Sequence, residues 1–331
     1  MTMHLSHERI ASLLDTAQGK RIMVVGDAML DVYLSGDVDR ISPEAPVPVV
    51  RVRERKYALG GAANVAQNVV AVGARCDLVA AVGDDRAGEQ LRGMLTALGT
   101  HGDSLVPVSR CTTQKTRILA RAQQLVRVDE EEDGDLSGPD VEALLAMVRA
   151  TIVGADAVVL EDYNKGVLVP EVIAEVLRLA NERSLPVVVD PKYRNFFLFR
   201  GATIFKPNRR ELEAALGAEV DVDHPETLPA TLQRLGVEHI LLTLGERGMV
   251  LFSARGEVAR IPTVAREVYD VVGAGDTVTA YLAAMLAAGA SAEEASIVSN
   301  VAAGIEVGKL GAATVDSDEL LAYAGAHQLM Y

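Results

Sequence analysis

The stretch DVVGAGDTVTA, residues 270–280, sets Gly273, Ala274 and Gly275 directly before an acid, Asp276. Apolar residues at helical spacing follow: Val278, Tyr281, Leu282, Met285 and Leu286. The start of a helix has unpaired N–H groups and the positive end of the helix dipole, so it holds anions. Small residues let a phosphoryl group approach, and the amides of Ala274, Gly275 and Asp276 can take the charge that develops during its transfer. Asp276, beside them, can accept the proton of an attacking hydroxyl, and the dipole favours its ionised form. An aspartate here also suits a plain helix cap, so the turn alone leaves both roles open.

A second candidate is GGAANVAQN, residues 60–68. Gly60 and Gly61 permit close backbone approach to a ligand. Asn64 and Asn68 lie one helical turn apart on a surface kept flat by alanines, and their amides both donate and accept, as sugar hydroxyls require. Tight helix–sheet packing explains the small residues equally well. Further polar groups fall where apolar runs end: Gly26-Asp27 with Asp31, Glu161-Asp162 with Lys165, Asp190-Pro191-Lys192, Lys206-Pro207-Asn208 with Glu211, and Thr243-Leu244-Gly245. Five such ends favour a site along one sheet edge, because ligands of open parallel sheets bind beyond the carboxyl ends of the strands. Neither GxGxxG after a strand nor GxxxxGK[ST] occurs, so any phosphate must use the GAGD turn. HExxH, CxxC and GxSxG are also missing from the sequence.

The elements that position these residues follow from periodicity. Apolar runs at 21–27, 76–83, 155–162, 185–191, 202–208 and 239–245 alternate with helical patterns, which predicts an α/β fold with a mostly parallel sheet covered by helices on both faces. Residues 47–59 and 111–129 alternate more strictly and carry many basic side chains; they read as antiparallel strands of a small β appendage over the sheet. The run DEEEDGD, 129–135, reads as a solvated loop. Residues 1–15 read as a short amphipathic helix and not a signal peptide. With no internal repeat or linker composition, residues 1–331 are expected to form one domain. The net charge of −14 argues against nucleic acid or an anionic membrane as partner. Cys76 and Cys111 lack metal or redox spacing, which suits a reducing cytoplasm.

The motifs VVGDAMLD, LGGAANVAQN, KPNRRE, TLGERG and DVVGAGDT occur in the order seen in ribokinase-type carbohydrate kinases, and the chain resembles that family from about residue 20 to 325. The resemblance implies a ribokinase-like fold with a β-sheet lid, here about 34–59 and 107–128. It implies Asp276 as base and Gly273-Ala274-Gly275 as anion hole. Asn208 and Glu211 match an NxxE motif that orders Mg2+ through water near ATP. Thr243, Gly245 and Asn300 match positions near the nucleotide, and Asp31, Gly60, Gly61 and Asn64 match sugar-binding positions. Some members bind a monovalent cation such as K+ near the position of Asp270; Val272 replaces a threonine found in some of them. Lids of this family often pair two subunits, so a homodimer through the lid strands is expected.

QQLVRVDEEE, EDYNKGVL and DPKYRNFF narrow the resemblance to kinases of D-glycero-β-D-manno-heptose 7-phosphate, which make the 1,7-bisphosphate for lipopolysaccharide core heptose precursors. In many bacteria that kinase is fused to a C-terminal nucleotidyltransferase, and the chain, ending at 331, is expected to be the stand-alone form. A substrate that already carries phosphate needs cations at the far end of its pocket. Arg117 and Arg121 on the lid, and Lys192 beside Asp190 at a strand end, are the candidates. Kinases of other sugars or sugar phosphates in the family, and a non-catalytic sugar- or nucleotide-binding sensor, are the competing readings.

Overall fold

The computed structural model of the chain describes residues 5–100, 104–121, 123–222, 228–265, 268–309, 311 and 313–326. In chain order the elements are α1 (His7–Ala17), β1 (Arg21–Gly26), β2 (Ala28–Ile41), β3 (Pro48–Gly61), α2 (Ala62–Ala71), β4 (Arg75–Gly83), α3 (Arg86–Ala97), β5 (Leu105–Val108), β6 (Gln114–Ala120) and β7 (Gln123–Glu130). There follow α4 (Pro139–Thr151), β8 (Ala157–Glu161), α5 (Pro170–Glu182), β9 (Val187–Asp190), β10 (Ile204–Phe205), α6 (Arg209–Leu216), α7 (Leu228–Leu235) and β11 (His239–Thr243). The last are β12 (Met249–Ser253), β13 (Val258–Ile261), α8 (Ala274–Ala287), α9 (Ala292–Glu306) and α10 (Ser317–Ala326).

The six apolar runs become β1, β4, β8, β9, β10 and β11, all parallel, in a sheet of order β13-β12-β11-β10-β9-β8-β1-β4-β5. Helices cover both faces, so each strand is buried on both sides and no polar alternation marks it. One core layer joins α1, α2, α8 and α9 to the sheet, and the other joins α4 and α5. Three strands escape the apolar pattern: β5, with four residues, and the antiparallel β12 and β13 at the opposite edge.

A second sheet has the order β3-β2-β6-β7. It differs from the expected appendage in three ways. It begins at Ala28, because β2 extends 14 residues from the main sheet outward. Residues 107 and 108 belong instead to β5, paired with β4. And β2 pairs with β6 in parallel, so only β2–β3 and β6–β7 are antiparallel. The acidic run 129–135 is not simply solvated. Asp129 and Glu130 close β7, and Glu131 accepts from Lys115 at 2.9 Å and Lys165 at 2.7 Å, because partly buried ammonium groups need counter-charges. Of the expected N-terminal helix, residues 1–4 lie outside the described residues, and α1 starts at His7 behind a Ser6 cap.

Parallel register brings Gly26, Glu161 and Asp190 to one level at the carboxyl ends of β1, β8 and β9. Gly26 is required there: a Cβ would lie 2.1 Å from the backbone oxygen of Glu161. Gly26→Ala therefore forces β1 and β8 apart beneath the site. We expect a loss of about 3 kcal/mol in urea unfolding, the upper end for overpacking, with much reduced yield of folded protein.

Candidate active site

Helix α8 starts on an uncapped turn. Gly273 holds φ at 99°, a left-handed value that favours glycine, and no side chain bonds the free amides that follow. Asp276 is thus the third residue of the helix and caps nothing. Its carboxylate turns away and takes two hydrogen bonds, from Asn64 Nδ2 at 2.7 Å and from the Tyr163 hydroxyl at 2.9 Å. Asn64 comes from α2, which is anchored to α8 by a Thr277 hydroxyl bond to Asn68 Oδ1 at 3.1 Å. Asn68 therefore serves α2–α8 packing and not a ligand. The favoured ionisation expected from the helix dipole does not decide Asp276. Burial, joined by the negative charge of Asp190, pushes its pKa up to about 6, against the pull of Asn64, Tyr163 and Lys206.

Carboxylate oxygens of Glu161, Asp190 and Asp276 lie within 4.8 Å of one another, all buried. The Lys206 ammonium sits among them, donating to Asp190 at 2.8 Å. Glu161 has no hydrogen-bond partner at either oxygen among the described residues. Burial and the charges of Asp190 and Asp276 push its pKa well above the ordinary carboxylate value, which favours its protonated form.

A cavity of about 260 Å3 opens in front of Asp276. Asp31, Gly60, Gly61 and Asn64 line it, as expected from the sequence, together with Gly273. The two glycines also answer the close-packing need that the sequence left open. A Cβ on Gly61 would lie 2.4 Å from the Asp27 carbonyl oxygen, and one on Gly60 would meet Met29 and Asp31 within 3 Å, so both serve approach of the chain to itself. Three cations from the small sheet also line it: Lys115, Arg117 and Arg127. Arg117 pairs with Asp31 at 2.5 Å. Arg121 does not join them. It lies in the β6–β7 turn with φ 49°, beyond the last paired residues, because hairpin closure needs a left-handed residue there. Lys192 is also drawn elsewhere: its ammonium pairs with Glu211 and stands 5.4 Å over the Tyr163 ring. Asp190 is held by Lys206 and lies outside this cavity's lining. Lys115, Arg127 and Tyr163 escaped the sequence reading. The two-residue alternation through Lys115 and Arg117, and the strand register pairing Arg117 with Arg127, is the signal that finds the first two.

A second cavity, about 560 Å3, lies on the other side of the turn. Asn208, Thr243, Gly245 and Asn300 line it with Ala274 and Gly275, as their sequence positions foresaw. Asn300 also donates to the Pro262 carbonyl at 2.9 Å, fixing the wall. Glu211 is turned differently. Asn208 and Glu211 form a reciprocal capping box at the start of α6, each side chain accepting the other's N–H at 2.9 Å, and the second Glu211 oxygen takes Lys192. Asp270 likewise accepts the N–H of Val272 at 3.0 Å and of Gly311 at 3.2 Å. The 273–276 turn thus separates a polar cavity with cations from a larger apolar one.

This architecture is shared by known sugar kinases. Phosphofructokinase-2 from Escherichia coli, in its tetrameric inhibited form, superposes with a TM-score of 0.76 at 18% identity, over 93% of this chain and all of that one. Arabidopsis thaliana ribokinase complexed with ribose and ATP gives 0.71 at 22%, over 92% and 98%. The fold is therefore ribokinase-like. Residues 20–319 match the model of the pfkB family carbohydrate kinases, and the chain belongs to that family of phosphotransferases. It is 46% identical over 325 residues to the bifunctional protein HldE of Rhodospirillum rubrum and 43% over 324 to that of Trichlorobacter lovleyi, with 96% of this chain covered in both. The chain spans 64% and 65% of the length of those relatives. No helix among the described residues is long and apolar enough to cross a membrane.

One buried acid behind the second cavity has no counterpart in the sequence reading. Glu306, the last residue of α9, is fully buried with both oxygens unpartnered among the described residues. Burial, then Asp270 and Asp276, push its pKa up to about 8. In the unfolded chain it loses its proton near its ordinary value, so the folded state binds the extra proton and stability falls as pH rises between the two. Glu306→Gln removes that dependence. We expect it to raise stability by about 1–3 kcal/mol at pH 8, with the gain vanishing near pH 4, read from urea unfolding at both pH values.

Proposed function

We propose that this kinase transfers the γ-phosphoryl group of ATP to the anomeric hydroxyl of D-glycero-β-D-manno-heptose 7-phosphate. The observation that carries the reading is one cavity lined both by Asp276 and by Lys115, Arg117 and Arg127. An acceptor bearing its own phosphate suits such a lining, with the phosphate on the cations and the reacting hydroxyl at Asp276. Each cation has a carboxylate partner, Arg117 with Asp31, Lys115 with Glu131 and Arg127 with Asp129, and a substrate phosphate would share them, whereas a neutral sugar brings no anion to this wall. ATP belongs in the larger cavity, its γ-phosphate at the amides of Ala274, Gly275 and Asp276.

In this reading Asp276 accepts the hydroxyl proton as the oxygen attacks phosphorus, and the helix amides hold the developing charge. Mg2+ fits beside Glu211 as a hydrated ion. That carboxylate is oriented by Asn208 and Lys192 but retains lone pairs for water, and hard oxygen donors with retained waters suit this cation. When bound, it neutralises the phosphate oxygens. A monovalent cation such as K+ would be held near Asp270, whose carboxylate already accepts the Val272 and Gly311 N–H groups. The small sheet serves as the lid of a single kinase unit, working in the cytoplasm.

The homodimer is assigned to the lid's outer face rather than to its edges alone. Strand alternation puts Lys115, Arg117 and Arg127 on the cavity side. Val52, Val126 and Val128 then share the opposite side, each more than 40% exposed. An apolar sheet face of this kind is covered by a partner, and a second copy offers the same face. Light scattering at micromolar concentration is expected to give a dimer for the wild-type chain and a monomer for Val126→Arg/Val128→Arg.

The reaction itself is tested with ATP, Mg2+ and paired phosphorylated and unphosphorylated sugars, the product position being assigned by NMR. The heptose 7-phosphate is expected to turn over and the free heptose scarcely at all. Arg127→Ala should raise KM for the sugar phosphate about tenfold, the loss of one charge-assisted bond, with KM for ATP unchanged. Asp276→Asn should lose roughly 10²–10⁴-fold in kcat with ATP binding retained. Equal rates on both sugars, or near-normal kcat in Asp276→Asn, contradict the reading.

A further inference from the structure

Tyr163 stands out because its hydroxyl reaches the reacting end of the site from a segment built for rigidity. The loop that carries it, residues 162–167, is tied down at almost every residue. Asp27, buried at the end of β1, accepts the N–H groups of Tyr163 at 2.8 Å, Lys165 at 3.0 Å and Val167 at 3.1 Å. Asp162 accepts the Asn164 N–H at 2.7 Å. Gly166 holds φ at 84°, where a Cβ would lie 2.2 Å from the Gly134 carbonyl oxygen, and its own carbonyl takes the Leu136 N–H at 3.0 Å. A buried carboxylate with three amide donors is an expensive way to shape a loop unless the loop's geometry matters.

The Tyr163 hydroxyl donates to Asp276 Oδ1 at 2.9 Å, while Asn64 holds Oδ2 at 2.7 Å. The two donors come from separate elements and grip separate oxygens, so the carboxylate cannot rotate about its own bond without breaking one of them. Each oxygen keeps a lone pair beyond the one already used.

We propose that Tyr163 is a positioning residue for phosphoryl transfer: with Asn64 it fixes the rotation of the Asp276 carboxylate so that a free lone pair meets the acceptor hydroxyl, and Asp27 holds Tyr163 in place. This rests on Asp276 being the base. During transfer the acceptor O–H bond breaks toward Asp276, its oxygen bonds the γ-phosphorus, and the bond from that phosphorus to the bridging oxygen breaks to release ADP. Tyr163 keeps its own proton throughout. Burial and the Asp276 charge raise its pKa well above the ordinary phenol value, which suits a permanent donor. Misplacing a base by a fraction of an ångström lowers the rate without weakening substrate binding.

Tyr163→Phe tests this, since it keeps the ring beneath Lys192 and removes only the hydroxyl. The expected result is a kcat about 10–100-fold lower, KM for ATP within twofold of wild type, and an unchanged melting temperature. The acid limb of the kcat profile should also move up by about one pH unit, because a donor that favours ionised Asp276 is gone. The other groups facing Asp276 are Glu161 from β8, Asp190 from the end of β9, Lys206 after β10 and Glu306 from α9; they stay in both proteins. Asp27→Asn, which weakens the loop anchor but leaves the phenol, should lower kcat in the same way with KM for ATP unchanged. Wild-type kcat and pH profile in Tyr163→Phe overturn the proposal, and wild-type kcat in Asp27→Asn overturns the part assigned to Asp27. Asp276→Asn run alongside separates the two failures. If it is inactive while Tyr163→Phe is normal, only the positioning role falls; if it is itself active, the base assignment falls.

Discussion

Everything at this site hangs on a carboxylate buried at an uncapped helix start. Asp276 cannot be solvated there, so its neighbours must replace water, and each replacement fixes an element. Asn64 fixes α2 against α8, Tyr163 fixes the 162–167 loop, and Lys206 brings the end of β10 under the turn through Asp190. The register of β1, β8 and β9 supplies the level at which these groups meet. A glycine at position 26 lets the strands come that close.

The electrostatics follow from the same crowding. Glu161, Asp190 and Asp276 cannot all ionise within 4.8 Å in a buried setting with one ammonium among them. Lys206 donates to Asp190, burial and the neighbouring carboxylates push the pKa of Glu161 well up, and Asp276 has its pKa at about 6. A value just below neutral suits a general base: it is mostly ionised at neutral pH yet basic enough to accept a proton. The helix dipole, which would push the other way, is outweighed by burial.

The two cavities give that base its context. The larger, mostly apolar one reaches Ala274 and Gly275, and the smaller polar one reaches Gly273 and Asp276, so a group passing between them must cross the free amides of the turn. The small sheet closes the polar side by alternation, since the strand positions that face inward carry Lys115, Arg117 and Arg127 while their neighbours face out with valines. One strand pattern thus supplies both a cationic wall and an apolar outer face.

Much of this was legible along the chain. The six parallel strands announce themselves because strands buried on both faces need unbroken apolar runs, and GAGD and GGAAN stand out because glycine is rarely adjacent to functional side chains without a reason. Residues 273–276, Asp31, Asn64, Thr243, Gly245 and Asn300 all reach a cavity wall. Other features depended on the folded chain. The sequence holds Lys192 and Arg121 as plausible phosphate ligands, but pairing with Glu211 and hairpin geometry take them elsewhere, while strand register brings in Lys115 and Arg127. Tyr163 lies within the EDYNKGVL stretch, but nothing local marks its role, since its partner lies 113 residues away. Nor can a sequence reveal that Asp276 leaves its helix start uncapped and is raised in pKa, or that burial pushes up the pKa of Glu306, because desolvation is a property of the packed interior. Residue types and local spacing were therefore enough for the elements and the turn. Which charges are neutralised, which are left unpaired and which face the cavity was decided only by contacts between residues distant in sequence.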